Sequence, residues 1–191
     1  MLRTELINLL CYKTKAKKYL EIGINDGVNL NNIQCEYKVG VDPNPLSPAT
    51  YHVTSDDFFA NNTETFDVIF IDGLHHADQV LRDINNSLKF LNKGGYIVCH
   101  DMNPSSEIMQ RVPQEVPEWT GDCWKAWVKL RSSHPELRMY VVDTDYGCGV
   151  IERGHGSMLQ VNEELTWDSL CKNRDYWLNL ISIETFLRED L

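Results

Sequence analysis

Several polar residues of this chain stand where apolar runs end, the place at which a folded sheet presents side chains to a ligand. Glu21-Ile22-Gly23-Ile24-Asn25-Asp26-Gly27 closes one such run with the spacing E-x-G-x-x-x-G. Glycines there let the backbone come close to a bound molecule. A carboxylate at an apolar strand end needs a partner, which exposed backbone N–H groups or a ligand ammonium group would supply. A second run, 37–41, stops on Asp42, an acid placed to accept hydrogen bonds from both hydroxyls of a ribose. Two further runs stop on Asp72 and on His100-Asp101. Two carboxylates and an imidazole are candidate ligands for a divalent cation, which lowers the pKa of a bound hydroxyl. Magnesium and manganese are the ions considered, and the histidine suits manganese, iron or zinc better than an all-oxygen magnesium site. His75, three residues after Asp72, titrates near neutrality when unperturbed and suits a general base.

These residues need strands to carry them. Runs at 18–22, 37–42, 50–54, 66–71 and 96–99 read as strands, and 66–71, apolar on both faces, fits a buried parallel strand. A short amphipathic helix is expected over 2–12. Val80, Leu81, Ile84, Leu88 and Leu91 recur at steps of three and four, so 77–91 reads as a helix with one buried face, ended by Gly94-Gly95. Residues 102–121, with Pro104, Pro113, Pro117 and Trp119, break the alternation; a loop of that length is commonly a lid or binding loop. A helix over 122–132 and two strands, 137–142 and 149–152, follow as an antiparallel hairpin. The fold class is therefore α/β, a Rossmann-like, doubly wound, seven-stranded, mostly parallel sheet with a terminal antiparallel hairpin. One domain is expected over 1–191, with its core at about 15–153 and a helical C-terminal extension at 160–191.

Composition narrows the function. The 191 residues are 42% hydrophobic and 24% charged, an ordinary globular balance, and no apolar run approaches the length of a membrane span. The lysines at 13, 15, 17 and 18 follow the short apolar run 6–10 instead of preceding it, the wrong order for a signal peptide. Six scattered cysteines without a C-x-x-C pair argue against a zinc site or disulfide framework, so a cytoplasmic location is expected. A formal net charge of −10 would repel a polyanion, which argues against nucleic acid and for a small neutral or moderately charged substrate.

The strand plan and the glycine motif resemble class I S-adenosylmethionine (SAM) methyltransferases, over roughly 15–153. Phe70-Ile71-Asp72-Gly73-Leu74-His75-His76 and Gly95-Tyr96-Ile97-Val98-Cys99-His100-Asp101 are similar to methyltransferase family 24, a group of sugar and small-molecule O-methyltransferases. The resemblance implies SAM as cofactor. Glu21, Gly23, Asn25 and Gly27 would line its methionine part, Asp42 would hold the ribose, and Ser55 or Asp56 would face the adenine, with Asp57 as the alternative one register on. The alternative reading of Ser55-Asp56-Asp57 is a helix N-cap before Phe58. Asp72 would touch both cofactor and reaction centre. His75 stands where catechol-type relatives carry a base, which makes His75 and Asp72 the catalytic candidates, and Asp72, His100 and Asp101 the metal candidates. Metal-dependent relatives use acids at these places, so His100 departs from their pattern.

The resulting expectation is a SAM-dependent O-methyltransferase acting on a small hydroxylated acceptor such as a saccharide. An NAD-dependent oxidoreductase is the first alternative, although Asn25 and Val28 stand where a dinucleotide fingerprint has glycines. A SAM-binding protein without turnover is the second. A metal hydrolase using His75, His76 and Asp78 is disfavoured because adjacent side chains diverge. The acceptor-contact candidates Trp119 and Lys125 have packing as their alternative explanation.

Overall fold

Strands buried on both faces form the centre of the sheet. The computed structural model describes residues 1–189. In chain order these run α1 (Arg3–Thr14), β1 (Lys18–Ile22), α2 (Val28–Asn32), β2 (Tyr37–Val41), α3 (Ser55–Asn61), β3 (Phe66–Ile71), α4 (Ala77–Phe90) and β4 (Leu91–Cys99). A 3-10 turn at Ile108–Gln110 follows, then α5 (Cys123–Arg131), β5 (Leu137–Val142), β6 (Cys148–Arg153), α6 (Trp167–Leu178), β7 (Leu180–Ile181) and α7 (Ile183–Glu189). The strand order is β2-β1-β3-β4-β6-β5-β7, and β6 alone among them runs against its neighbours. Side chains alternate between two cores. Leu20, Ile22, Ile69 and Ile71 pack with α4, α5 and α6, whereas Tyr19, Val68 and Phe70 pack with α1 and Phe186 of α7. The strand period of two thus fills both faces.

The register sets the site. Ile22 lies beside Val41 on one side and Ile71 on the other, and Ile71 lies beside Cys99. The residues that follow these four, Gly23, Asp42, Asp72 and His100, therefore leave the sheet along one edge. On the far side, Cys99 pairs with Gly149 in the antiparallel sense, so the hairpin turn before β6 arrives at the same edge.

The seven strands are not the seven expected. The expected strand at 50–54 shrinks to one parallel bridge between Val41 and Tyr51. Gly40 O accepts from both Thr50 and Tyr51, and Thr54 already caps α3, so no length remains for a ladder. The seventh strand comes instead from Leu180–Ile181, inside the segment expected to be a helical extension. Asn179 ends α6 in the left-handed conformation (φ 49°), and the chain then pairs with β5. Trp177 is buried there, and Arg131 donates to the carbonyls of Tyr176 and Trp177. Helix α4 stops at Phe90 because Leu91 already pairs with Phe66. No helix among the described residues is long and apolar enough to cross a membrane.

Candidate active site

A cavity of about 1250 Å³ opens along the row of strand tips. One drug-sized ligand occupies roughly 300–1,000 Å³, so the space accommodates two ligands side by side. Of the residues singled out in the sequence, Glu21, Gly23, Asn25, Asp42, Ser55, Asp56, Asp72, His75, His100 and Asp101 line it; Gly27 and Asp57 do not.

The left half is a cradle built on β1 and β2. Glu21 is buried, and its Oε2 accepts from the Tyr19 hydroxyl at 2.6 Å and the Asn29 amide at 2.8 Å. Burial pushes its pKa up to about 7, and the hydrogen bonds from Tyr19 and Asn29 only partly offset this. Asp42 Oδ2 accepts from the amides of Ile24 and Asn25 at 3.1 and 3.0 Å, and its Oδ1 accepts from Asn44 N at 2.8 Å. Asp42 thus shapes the glycine turn while facing the cavity. Gly23 is needed for a reason other than ligand approach: a Cβ there would lie 2.2 Å from the Asp72 carbonyl oxygen, at a φ of 79°. The tips of β1 and β3 touch through it. Gly27 is the left-handed residue that starts α2, and a Cβ there would lie 2.5 Å from Pro48 Cγ. In the Ser-Asp-Asp segment, Thr54 is the N-cap and bonds Asp57, which leaves Ser55 and Asp56 on the cavity wall.

The right half is a compact cluster of charges. His75 Nε2 lies 3.4 Å from Asp72 Oδ1, and His75 Nδ1 lies 3.3 Å from Asp101 Oδ2. His100 Nδ1 is 3.4 Å from Asp72 and 3.2 Å from Asp101. The expected ligands Asp72, His100 and Asp101 do meet, with His75 beside them. Ligand atoms of Asp72, His75 and Asp101 lie within 4.8 Å of one another. Asp101 adopts φ 63°, and the left-handed turn is held by Met102 N and Asn103 N donating across to Gly147 and Tyr146. Aspartate tolerates this conformation better than most residues.

Burial works to lower the pKa of His75, but the Asp72 hydrogen bond and the charges of Asp101 and Asp72 raise it overall. For His100, burial is likewise outweighed by Asp72, Asp101 and Asp145, which raise it well above its ordinary value. Asp72 is held far below the usual carboxylate range, its burial overcome by the His100 and His75 rings. The ionised form of Asp72 and the protonated forms of both imidazoles are thereby favoured. His75 Nδ1 also faces the Trp119 carbonyl at 3.0 Å, which can only accept.

Three participants left little trace in the sequence. Arg3, at the start of α1, donates from Nη1 to Asp72 Oδ2 at 2.9 Å and lies 3.2 Å from His100 Nδ1. Asp145, in the hairpin turn, meets Arg3 Nε at 3.1 Å and accepts from Arg3 N at 3.0 Å; the His100 ring lowers its pKa to about 2. Asn29 ties Glu21 to Thr4, whose hydroxyl donates to it at 2.6 Å. Only Asp145 had a usable signal, a turn next to a strand that must pair at the site. His100 Nε2 faces Asp145 at 3.6 Å, beyond hydrogen-bond reach, and has no other hydrogen-bond partner among the described residues. Cys148 Sγ completes a second group with them, but burial pushes that thiol up to about 12.

The 102–121 loop packs down over this half. Trp119 stacks on His75 with centroids 5.2 Å apart, and its indole donates to Arg111 O at 2.7 Å. Gly121 is required there, because a Cβ would lie 1.8 Å from the His75 carbonyl. Trp119 lines the cavity; Lys125 pairs with Asp122 instead, over the buried Trp124. Asp122 Oδ1 accepts from Ala77 N, so the start of α4 is capped from α5's side and not by His75.

Residues 38–102, which hold β2 through the tip of β4, match the family model of a methyltransferase domain. The solved structures add the architecture. The Bacillus cereus O-methyltransferase in complex with SAH is 15% identical, with a TM-score of 0.57 over 78% of this chain and 79% of that one. The chain shares its fold with SAM-dependent methyltransferases. The O-methyltransferase TomG of Streptomyces achromogenes, in complex with SAM, gives a TM-score of 0.54 at 15% identity over 81% of this chain and 80% of its own. The N-methyltransferase NodS of Bradyrhizobium japonicum gives 0.52 at 17% identity over 81% and 94%. No curated protein matches the sequence. At these identities the neighbours establish the methyltransferase fold, and the site of this chain carries the argument about its chemistry.

Proposed function

We propose that this protein transfers a methyl group from SAM to the oxygen of a small hydroxylated acceptor, a saccharide being the favoured class. The observation that supports this is one cavity in which the Glu21–Asp42 cradle and the Asp72–His75–His100–Asp101 cluster open side by side. SAM supplies an electrophilic methyl group when bound. Asp42, with Ser55 and Asp56 beyond it, orients the nucleoside, and Glu21 offers a buried carboxylate to an ammonium group. Positioning supplies much of the acceleration in such a transfer. The half-buried Trp119 and the hairpin's Tyr146 wall the acceptor side.

The acceptor hydroxyl must still lose its proton. Asp72, His75 and Asp101 fit a divalent cation by donor type and spacing, and His100 Nδ1 lies within 3.4 Å of both acids. The ion's chemistry would be to lower the pKa of a hydroxyl. Neutralising the two carboxylates would also offset what raises the pKa of His75, which favours a ring able to accept a proton. A SAM-binding protein without turnover is the second reading, favoured by one observation: Arg3 and the two histidines already balance the cluster's acids. Incubation with SAM and a panel of saccharides and phenols, with S-adenosylhomocysteine measured, decides between them. Saccharide-dependent product supports the first reading; SAM binding without product for any acceptor supports the second. Binding of NAD and not of SAM would overturn both.

A further inference from the structure

We infer that Arg3 and a divalent cation compete for the Asp72 carboxylate, so that the first turn of α1 is a latch that ion binding releases. The inference rests on the cation part of the reading above. Arg3 Nη1 sits 2.9 Å from Asp72 Oδ2 and 3.2 Å from His100 Nδ1, so it touches two of the groups that would hold an ion. The guanidinium cannot give up its charge at any ordinary pH, and an ion beside it would meet a fixed positive neighbour. One of the two must leave. Arg3 is able to: it is a third exposed at its side chain, and its hold on the far side is Asp145, in a turn at the rim. The same turn of helix reaches the cofactor cradle, because Thr4 bonds Asn29 and Asn29 bonds Glu21. Release of Arg3 therefore loosens a segment that walls both halves of the cavity, where Leu2, Arg3 and Thr4 line it.

The test is calorimetric titration of manganese into the SAH-loaded wild type and Arg3→Met, with amide exchange followed over residues 2–6. Arg3→Met is expected to bind manganese roughly 10–100-fold tighter, the span associated with removing one charge-assisted hydrogen bond from the competition. Manganese is expected to speed exchange over residues 2–6 in the wild type. Arg3→Gln, which removes the charge and keeps a polar side chain, is expected to shift affinity in the same direction and carries the test if Arg3→Met does not fold. Equal or weaker manganese affinity in the variants, or tight binding with unchanged exchange, overturns the latch. No manganese binding by any form, with SAH still bound, removes both latch and cation while methyl transfer stands. Failure of SAH to bind counts against the methyltransferase reading itself.

Discussion

In the proposed function, Asp42 and Glu21 each serve fold and ligand together. Asp42 holds three backbone amides of the turn and the segment after β2. Its replacement by Ala is expected to weaken SAM binding by about 1.5–3 kcal/mol, the worth of hydrogen bonds to a charged group; calorimetry showing unchanged affinity would remove it from the nucleoside site. Glu21 makes a prediction about pH. Its folded pKa, about 7, lies above the ordinary carboxylate value, so the ligand-free fold loses stability as pH rises through that window. An ammonium ligand favours the ionised form, so SAM affinity is expected to rise as pH approaches 7, by at most about tenfold per unit. Glu21→Gln should flatten that dependence, and an equally steep curve in the variant would assign the proton elsewhere.

At the scale of elements, the strand tips and the 102–121 loop form two walls of the proposed reaction centre. If the tips hold a cation, chelator should abolish transfer and leave SAM binding intact, and Asp101→Asn should do the same. Asparagine is the substitution of choice because Asp101 is left-handed, a conformation asparagine also tolerates and alanine resists. If transfer ignores chelator and falls in His75→Ala, the imidazole is the base. The rising limb of the pH–rate profile should then lie above the ordinary histidine value, because the net effect of the surrounding carboxylates is to raise its pKa. The loop has its own test. Gly121→Ala puts a methyl group against the His75 carbonyl at φ 57°, and is expected to lift the loop. Transfer should drop while SAM affinity holds; a normal rate would show that the loop does not shape the reaction centre.

Over the whole molecule, the C-terminal segment proves to be part of the frame that carries the site. Trp177 of α6 stacks on Trp124 of α5 with centroids 6.2 Å apart, both buried, and β7 closes the sheet's edge beside β5. Trp177→Ala is expected to cost about 3–5 kcal/mol, read as a fall in Tm of roughly 2–4 °C for each kcal/mol in a chain of this size. A Tm within error of the wild type would mean that the segment only decorates the fold. The N-terminal helix is integral in the same way, through Leu6, Ile7 and Leu10 in the second core.

The sequence by itself determined the strands that bear the site and the polar residue at each tip. A buried parallel strand is a short apolar run, and its end is visible as the residue that breaks the run; Ile22, Val41, Ile71 and Cys99 are followed by Gly23, Asp42, Asp72 and His100. Helix α4 was legible for the same local reason, its three-and-four spacing. The bridge at Tyr51 and the strand at Leu180 were not, because each depends on which hydrogen-bond partners other segments have already taken. Only the tertiary structure placed Arg3 on Asp72, 69 residues away, and on Asp145, 142 residues away. An ion pair has no period in the chain. It forms because antiparallel pairing of β6 on β4 brings the hairpin turn to the strand tips, where α1 also begins. The raised pKa of His75 was decided there as well, since it follows from two carboxylates and a carbonyl that the fold collects around it.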